Sequence, residues 1–329
     1  MNKKIDFVIL WVDPTDENWL KQKNKYSNNT LGDKSLKRFR DFDNLKYLFR
    51  GIEKFAPFVN KVYFITFGHL PKWLNIKNEK IVIVNHKDFI KEEYLPTFNS
   101  NVIELNLLNI KELSENFVLL NDDIFILNHL KEEDFFKNGI PNDLYIEYKK
   151  KNSSKRSITM HNNYFNILDK YFTKKEFVRN NKDKIINKVY GIKNLSNLKS
   201  MKNDTFLDLY SPHLNQNLLK STFDLAWKND YEILNNSCFN RFRADTDVGQ
   251  MLCRYYQLLS GNFNPSKPLG KYFEISDNNK KLINAIKRQK YKIICINDAK
   301  DDIDFEKCKR EINLALEYVF PEKCSYEVK

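Results

Sequence analysis

The sequence predicts an α/β fold built on a mostly parallel sheet, and three observations lead there. Short apolar runs rich in β-branched and aromatic residues recur along the chain. Most of them lack polar/apolar alternation, the mark of strands buried on both faces. Segments with apolar residues at helical spacing fall between them, giving strand–helix alternation. At 329 residues the chain forms one large domain or two small ones, with a substantial buried core either way.

In order, the strands are "FVILWV" (7–12), "KVYFIT" (61–66), "KIVIV" (80–84), "FVLL" (117–120), "LYIEY" (144–148) and "YKIICI" (291–296). The first helix is "NLKYLFRGIEKF", where Leu45, Leu48, Phe49, Ile52 and Phe55 share one face. "NVIELNLLNIKEL" follows the cap residues Asn99 and Ser100. Further helices are expected at "LNQNLLKSTFDLAW", at "DVGQMLCRYYQLL" and in the second half of "NDAKDDIDFEKCKREINLALEYVF". From about 150 to 208 the pattern weakens into a Lys/Asn-rich stretch that reads as a largely helical insertion or lid.

The net charge of +12 comes from lysines spread almost everywhere, as a solvated surface has them. It favours phosphate-bearing or anionic-membrane partners in general. No RNA-recognition or zinc-finger pattern supports nucleic-acid binding. The five cysteines are scattered without a C-x-x-C pair, which fits a reducing compartment. The apolar run near the start is short, interrupted by Asp6 and followed by no small-residue cleavage site, so a cytoplasmic location is expected. Phosphate-loop, dinucleotide-fingerprint, zincin and nucleophile-elbow patterns are all missing. With only eight glycines, phosphates are expected to be held by side chains and a metal.

The chemistry gathers where strands end, since ligands of parallel sheets sit beyond the carboxyl ends. The first strand delivers Asp13 and Asp16, "FVLL" delivers Asn121, Asp122 and Asp123, and "YKIICI" delivers Asn297 and Asp298. Buried carboxylates need a partner or a cation, and acids from several strand ends suit Mg²⁺ or Mn²⁺. The alternative is a plain turn at "NDD", because Asn and Asp favour turns; the residues alone leave both open. Phosphate ligands are sought among Arg38, Arg40, Arg50, Arg241 and Arg243, whose planar forks match phosphate oxygens. His213, after the fixed Ser211-Pro212 turn, is the candidate general base.

These segments, taken together, resemble the Stealth family of sugar-1-phosphate transferases. "IDFVILWVDPTDENW" resembles its first conserved region. "RFRDFDNLKYLFRGIEKFAPFVNKVYFITFGHLPKWLN", continued through "YLPTFNSNVIEL" to "ENFVLLNDDIFI", resembles the second. "SPHLNQNLL" with "FNRFRADTD" resembles the third, and "KIICINDA" the fourth. The resemblance implies one catalytic domain over 1–329 with a Rossmann-like, glycosyltransferase-A-like core. It implies transfer of a hexose-1-phosphate or N-acetylhexosamine-1-phosphate from a nucleotide sugar, a UDP-sugar first, to a hydroxyl of a polysaccharide or lipid-linked oligosaccharide. A nucleoside monophosphate leaves. In this scheme Asp122, Asp123 and Asp298 hold Mg²⁺ or Mn²⁺, Arg243 binds the moving phosphoryl group and His213 is the base. Asp13 and Asp16 position the nucleotide or complete the metal shell, Arg38 and Arg50 meet phosphate, and Thr97, Asn99 and Ser100 offer donors to sugar or phosphate. Peripheral association with the inner face of the cell membrane is part of the same expectation. The competing enzyme class is a metal-dependent glycosyltransferase releasing a nucleoside diphosphate; the non-enzymatic one is a basic polyanion-binding module.

Overall fold

The computed structural model describes residues 3–27, 40–149, 155–298 and 303–328. The strands that matter are β1 (Ile5–Leu10), β2 (Val62–Thr66), β3 (Ile81–Asn85), β4 (Asn116–Asn121), β5 (Ile124–Ile126), β6 (Gln216–Leu219), β7 (Gly270–Glu274) and β8 (Ile293–Asn297). A central sheet runs β6-β4-β1-β2-β3, with β1 to β4 parallel and β6 antiparallel at the edge. A second sheet runs β7-β8-β5, with β5 antiparallel to β8. The expected α/β architecture with a mostly parallel sheet is what the chain adopts.

The missing alternation has its physical reason here. Phe7, Ile9, Val62, Phe64, Val118 and Leu120 enter one core, while Val8, Tyr63, Ile65, Phe117 and Leu119 enter the other. Successive strand residues point to opposite faces, so a strand covered on both sides is apolar at every position. Helices Leu45–Phe55 and Phe305–Val319 cover the first face, and Lys220–Asn229 and Met251–Leu259 the second. The order 3-2-1-4 is that of doubly wound folds. It reverses between β1 and β4, so a crevice opens beyond their carboxyl ends.

Two elements depart from the sequence reading. "LYIEY" supplies only a two-residue strand, Glu147–Tyr148, outside the central sheet. "LNQNLL" is not the start of a helix: Gln216–Leu219 is the edge strand β6, and the helix begins at Lys220. β6 is four residues long, two polar and then two buried leucines, too short for its pattern to tell strand from helix.

Between 150 and 208 the described residues are helical at Lys155–Leu168, Lys174–Asn180 and Asn194–Ser200. Glu147–Tyr148 pairs with Asp208–Leu209, so the segment leaves and returns at one neck. Tyr164, Phe165, Leu168, Phe177, Ile185, Tyr190 and Phe206 are buried in the second core, which makes the segment a packed layer.

Candidate active site

A cavity of about 350 Å³ opens at the carboxyl ends of β1 and β4, within the size range of small-molecule sites. Trp11 and Val12 reach it after β1, His86 after β3, Asn121, Asp122 and Asp123 after β4, and Asn297 and Asp298 after β8. Asp122 and Asp123 form the corner between β4 and β5. This corner is a turn but not a hairpin, because β5 leaves for the other sheet and pairs with β8. The Ile296 N–H donates to the Asp123 carbonyl, 2.8 Å away, and fixes the corner. Gly51 lets helix Leu45–Phe55 press against β5: a Cβ there would stand 2.4 Å from the Ile126 carbonyl oxygen.

Asp123 Oδ2 accepts from the Cys295 thiol at 3.2 Å and lies 3.8 Å from His213 Nε2. His213 adopts a φ of 50°, in the left-handed region that residues with a Cβ seldom enter. Its ring meets Tyr272 edge-on at 5.5 Å. The Asp123 contact raises the His213 pKa above its ordinary value despite partial burial. Asp122 opens to the cavity but is densely surrounded, and desolvation, then Asp123, push it up to about 7.

Arg243 Nη2 donates to Ser100 Oγ at 2.6 Å. The loop carrying Arg243 is organised by fully buried Asp247, which accepts from Asn99 Nδ2, Asn101 Nδ2, Asn240 Nδ2 and the Ala244 N–H. Glu104, one turn after Ser100 in helix Ser100–Leu105, lines the same cavity. Desolvation raises its pKa to about 7, against the opposing pull of Arg243 and the Ser100 hydroxyl.

The structure brings Thr97, Ser100, Asp122, Asp123, His213, Arg243 and Asp298 to one cavity. Arg50 goes elsewhere: it is 6% exposed, grips Glu327 through Nε and Nη2 (2.6 and 2.9 Å) and caps the Phe320 carbonyl. Its fork is used up inside the core. Asn99 is also spent, on Asp247 and the Asn240 carbonyl, so it positions the Arg243 loop and does not line the cavity. Asp13 closes a turn on Thr15, and Asp16 caps helix Glu17–Ser27 through the Trp19 N–H; both shape the β1 exit without lining the cavity. Arg38 lies outside the described residues. Arg40, its neighbour, meets Asp298 at 3.3 Å.

Sequence reading missed Glu104 and His86. Glu104 had a signal, being the sole charged residue between Phe98 and Ile110. A partly buried carboxylic acid whose desolvation holds its pKa near 7 is also costly to ionise, which gives a test. With the folded pKa above the unfolded one, wild-type stability falls as pH rises from about 4.5 through about 7. Glu104→Gln is expected to regain on the order of 2–3 kcal/mol at pH 8 and little at pH 4.5, while turnover drops. Urea denaturation at both pH values checks it; a gain equal at both would remove the assignment.

The cavity fits a divalent cation. Asp41, Glu104, Asp122, Asp123 and Asp298 outnumber Arg40, Arg243 and His213 among the described lining residues, so a diphosphate would otherwise meet net negative charge. Asp123 Oδ1 is buried without a hydrogen-bond partner among the described residues. Ligand atoms of Asp123, His213 and Cys295 lie within 4.8 Å of one another; Asp122 and Asp298 share the cavity but not that cluster. Desolvation and Asp123 push the Cys295 thiol pKa up, which leaves the carboxylate oxygens and the His213 nitrogen as the better donors.

Two family profiles match the chain: Stealth protein CR1, conserved region 1, over residues 3–31, and Stealth protein CR2, conserved region 2, over 38–143. The capsular polysaccharide phosphotransferase WcwK of Streptococcus pneumoniae is 41% identical over 99% of both chains. The receptor polysaccharide phosphotransferase WefC of Streptococcus gordonii is 36% identical over 100% of both. The exopolysaccharide phosphotransferase cps2G of Lactiplantibacillus plantarum is 35% identical over 98% of this chain and 96% of that one. Among solved structures, the galactosyltransferase LgtC aligns over 94% of this chain and 95% of its own at 10% identity and a TM-score of 0.41, too loose to carry an argument. Two matched regions and relatives alike over their whole length show the family: the chain belongs to the Stealth family of polysaccharide phosphotransferases.

Proposed function

We propose that the enzyme transfers a hexose-1-phosphate or N-acetylhexosamine-1-phosphate from a nucleotide sugar to a hydroxyl of an acceptor glycan, in the assembly of a cell-surface polysaccharide. The observation that carries this reading is one cavity holding a base beside a carboxylate, His213 on Asp123, together with the guanidinium of Arg243. The acceptor hydroxyl attacks the sugar-bearing phosphorus, and the bond to the bridging oxygen breaks. The nucleoside monophosphate takes that oxygen away. His213 takes the hydroxyl proton, and Asp123, 3.8 Å from its Nε2, stabilises the resulting imidazolium. Arg243 faces the phosphoryl oxygens, whose charge is best met by donors already in position. Asp123, with Asp122 and Asp298, would hold Mg²⁺ or Mn²⁺, which when bound neutralises diphosphate charge.

The cavity also has an uncharged, aromatic end, made by Trp11, Trp19, Phe98 and His86. Leu10 pairs with both Asn121 and Ile65, and Ile65 with Val84, so β4, β1, β2 and β3 end level. Three strand spacings then set His86 about 14 Å from the Asp122–Asp123 corner, the span of a nucleoside beyond its diphosphate. We assign the base to this end. Burial pushes the His86 pKa down to about 3, so its imidazole is neutral, and among the described residues its Nδ1 has no partner. His86→Leu is expected to raise the nucleotide-sugar KM roughly tenfold, the worth of one lost hydrogen bond, with kcat changed less. Steady-state kinetics with saturating acceptor reads the split; an unaltered KM would place the base elsewhere.

The direct test of the reaction is incubation with a panel of nucleotide sugars and Mg²⁺ or Mn²⁺, UDP-sugars first. Release of nucleoside monophosphate that depends on acceptor glycan supports phosphoryl transfer. Release of nucleoside diphosphate supports the glycosyltransferase alternative. Among the described residues no helix is long and apolar enough to cross a membrane; with the basic surface, work at the cytoplasmic face of the membrane fits a lipid-linked acceptor.

A further inference from the structure

Between Asp183 and Asp204 the chain carries five lysines and no acidic residue. The fold gives this stretch two faces. Tyr190, Asn197 and Ser200 are buried, and Asn197 ties the stretch to the core through the Tyr145 and Ile185 carbonyls at 2.8 and 2.7 Å. On the outer side Ile192, Leu195 and Leu198 are 83%, 57% and 47% exposed. Their spacing of three sets them along one face of the turn and of helix Asn194–Ser200. Gly191, at φ 55°, makes the turn that projects Ile192. Lys188, Lys193, Lys199 and Lys202 are exposed around these three aliphatic side chains.

Single exposed aliphatic residues need no explanation. Three on one face, within a run of sequence that carries lysines and no acids, match the surface of an anionic bilayer, which takes apolar side chains into its interface and draws lysine to its phosphates. A protein partner bound through apolar contact gains nothing from four lysines that pair with no carboxylate among the described residues. We infer that the outer face of residues 188–202 docks the enzyme on anionic lipid.

Its position relates the surface to the reaction. Lys193 stands over the Tyr210 ring at 4.5 Å, and Tyr210 follows the neck strand Asp208–Leu209 and precedes His213 by three residues. Docking would therefore hold the His213 side of the enzyme near the membrane, where a lipid-linked acceptor presents its hydroxyl. Only this use of the surface rests on the transfer reading; the docking itself does not.

The test is sedimentation of the purified chain with vesicles of phosphatidylglycerol and phosphatidylcholine, against phosphatidylcholine alone. The wild type is expected to bind the anionic vesicles at least tenfold better and to lose that binding in high salt. Ile192→Ser/Leu195→Ser/Leu198→Ser and, separately, Lys188→Gln/Lys193→Gln/Lys199→Gln/Lys202→Gln should each weaken binding tenfold or more. All seven positions are exposed, so melting temperature and nucleoside monophosphate release with a soluble acceptor should stay at wild-type values. Equal binding to both vesicle types, or variants that bind as the wild type does, overturns the inference. So does a wild-type dimer in light scattering that the serine variant abolishes, because the face would then be a protein contact. Should the chain prove to release a nucleoside diphosphate, the transfer reading fails and the vesicle result stands untouched.

Discussion

His213→Ala should lower turnover by two to four orders of magnitude and leave the melting temperature where it was. The side chain is about half exposed, so its loss creates no cavity in either core. What is lost is proton removal from the acceptor hydroxyl, worth about 10²–10⁴ in rate. Asp123→Asn should approach the same loss by another route. It keeps the volume and an acceptor for the Cys295 thiol, but it removes the charge that raises the His213 pKa and that a cation would need. Because both residues serve one proton transfer, the double variant should cost little more than the worse single one. Measuring kcat for the two singles and the double, with urea midpoints alongside, decides it. A folded His213→Ala enzyme with wild-type turnover would leave the general-base role without support.

What the sequence disclosed, and what it withheld, follows the reach of each interaction. β1, β2, β4 and β8 were legible because burial on both faces makes a strand apolar at every position, a property that lies within the strand itself. The strand-end acids were legible for a related reason, as charges beside core segments. The fate of each polar group was not, since that depends on partners far along the chain. Arg50 reads like any phosphate-binding arginine until Glu327, 277 positions away, takes its fork. Asn99 looks like a substrate donor until Asp247 claims it across 148 positions. "NDD" was undecidable locally because the corner is both things: a turn in the backbone, and a pair of acids in the cavity. Its meaning is set by β8, which takes β5 into the second sheet. His86 had no local signal at all, being one histidine among five, marked only by the strand register that levels β3 with β4.

Lys174→Met should destabilise the enzyme by about 3–5 kcal/mol, the usual cost of stranding one member of a buried ion pair. Lys174 is 3% exposed and Glu147 is fully buried. The two are joined by a close ion pair. Burial pulls the Lys174 pKa down, and the Glu147 charge opposes that pull. Glu147 also accepts from the Tyr145 hydroxyl at 2.9 Å and from the Leu207 N–H at 2.5 Å. The carboxylate therefore clasps both ends of the helical insertion and a lysine from its interior. Methionine fills the lysine stem's space but leaves the carboxylate with two hydrogen bonds and no counter-charge. Adding Glu147→Gln should recover much of the loss, because an uncharged amide has no counter-charge to miss. Leu207 precedes His213 by six residues, so the single variant should also lose activity on warming before it unfolds globally. Urea denaturation of the single and double variants is the check. If the single variant is as stable as the wild type, or the second substitution makes matters worse by the full cost of another buried partner, the pair is not what fastens the insertion to the core.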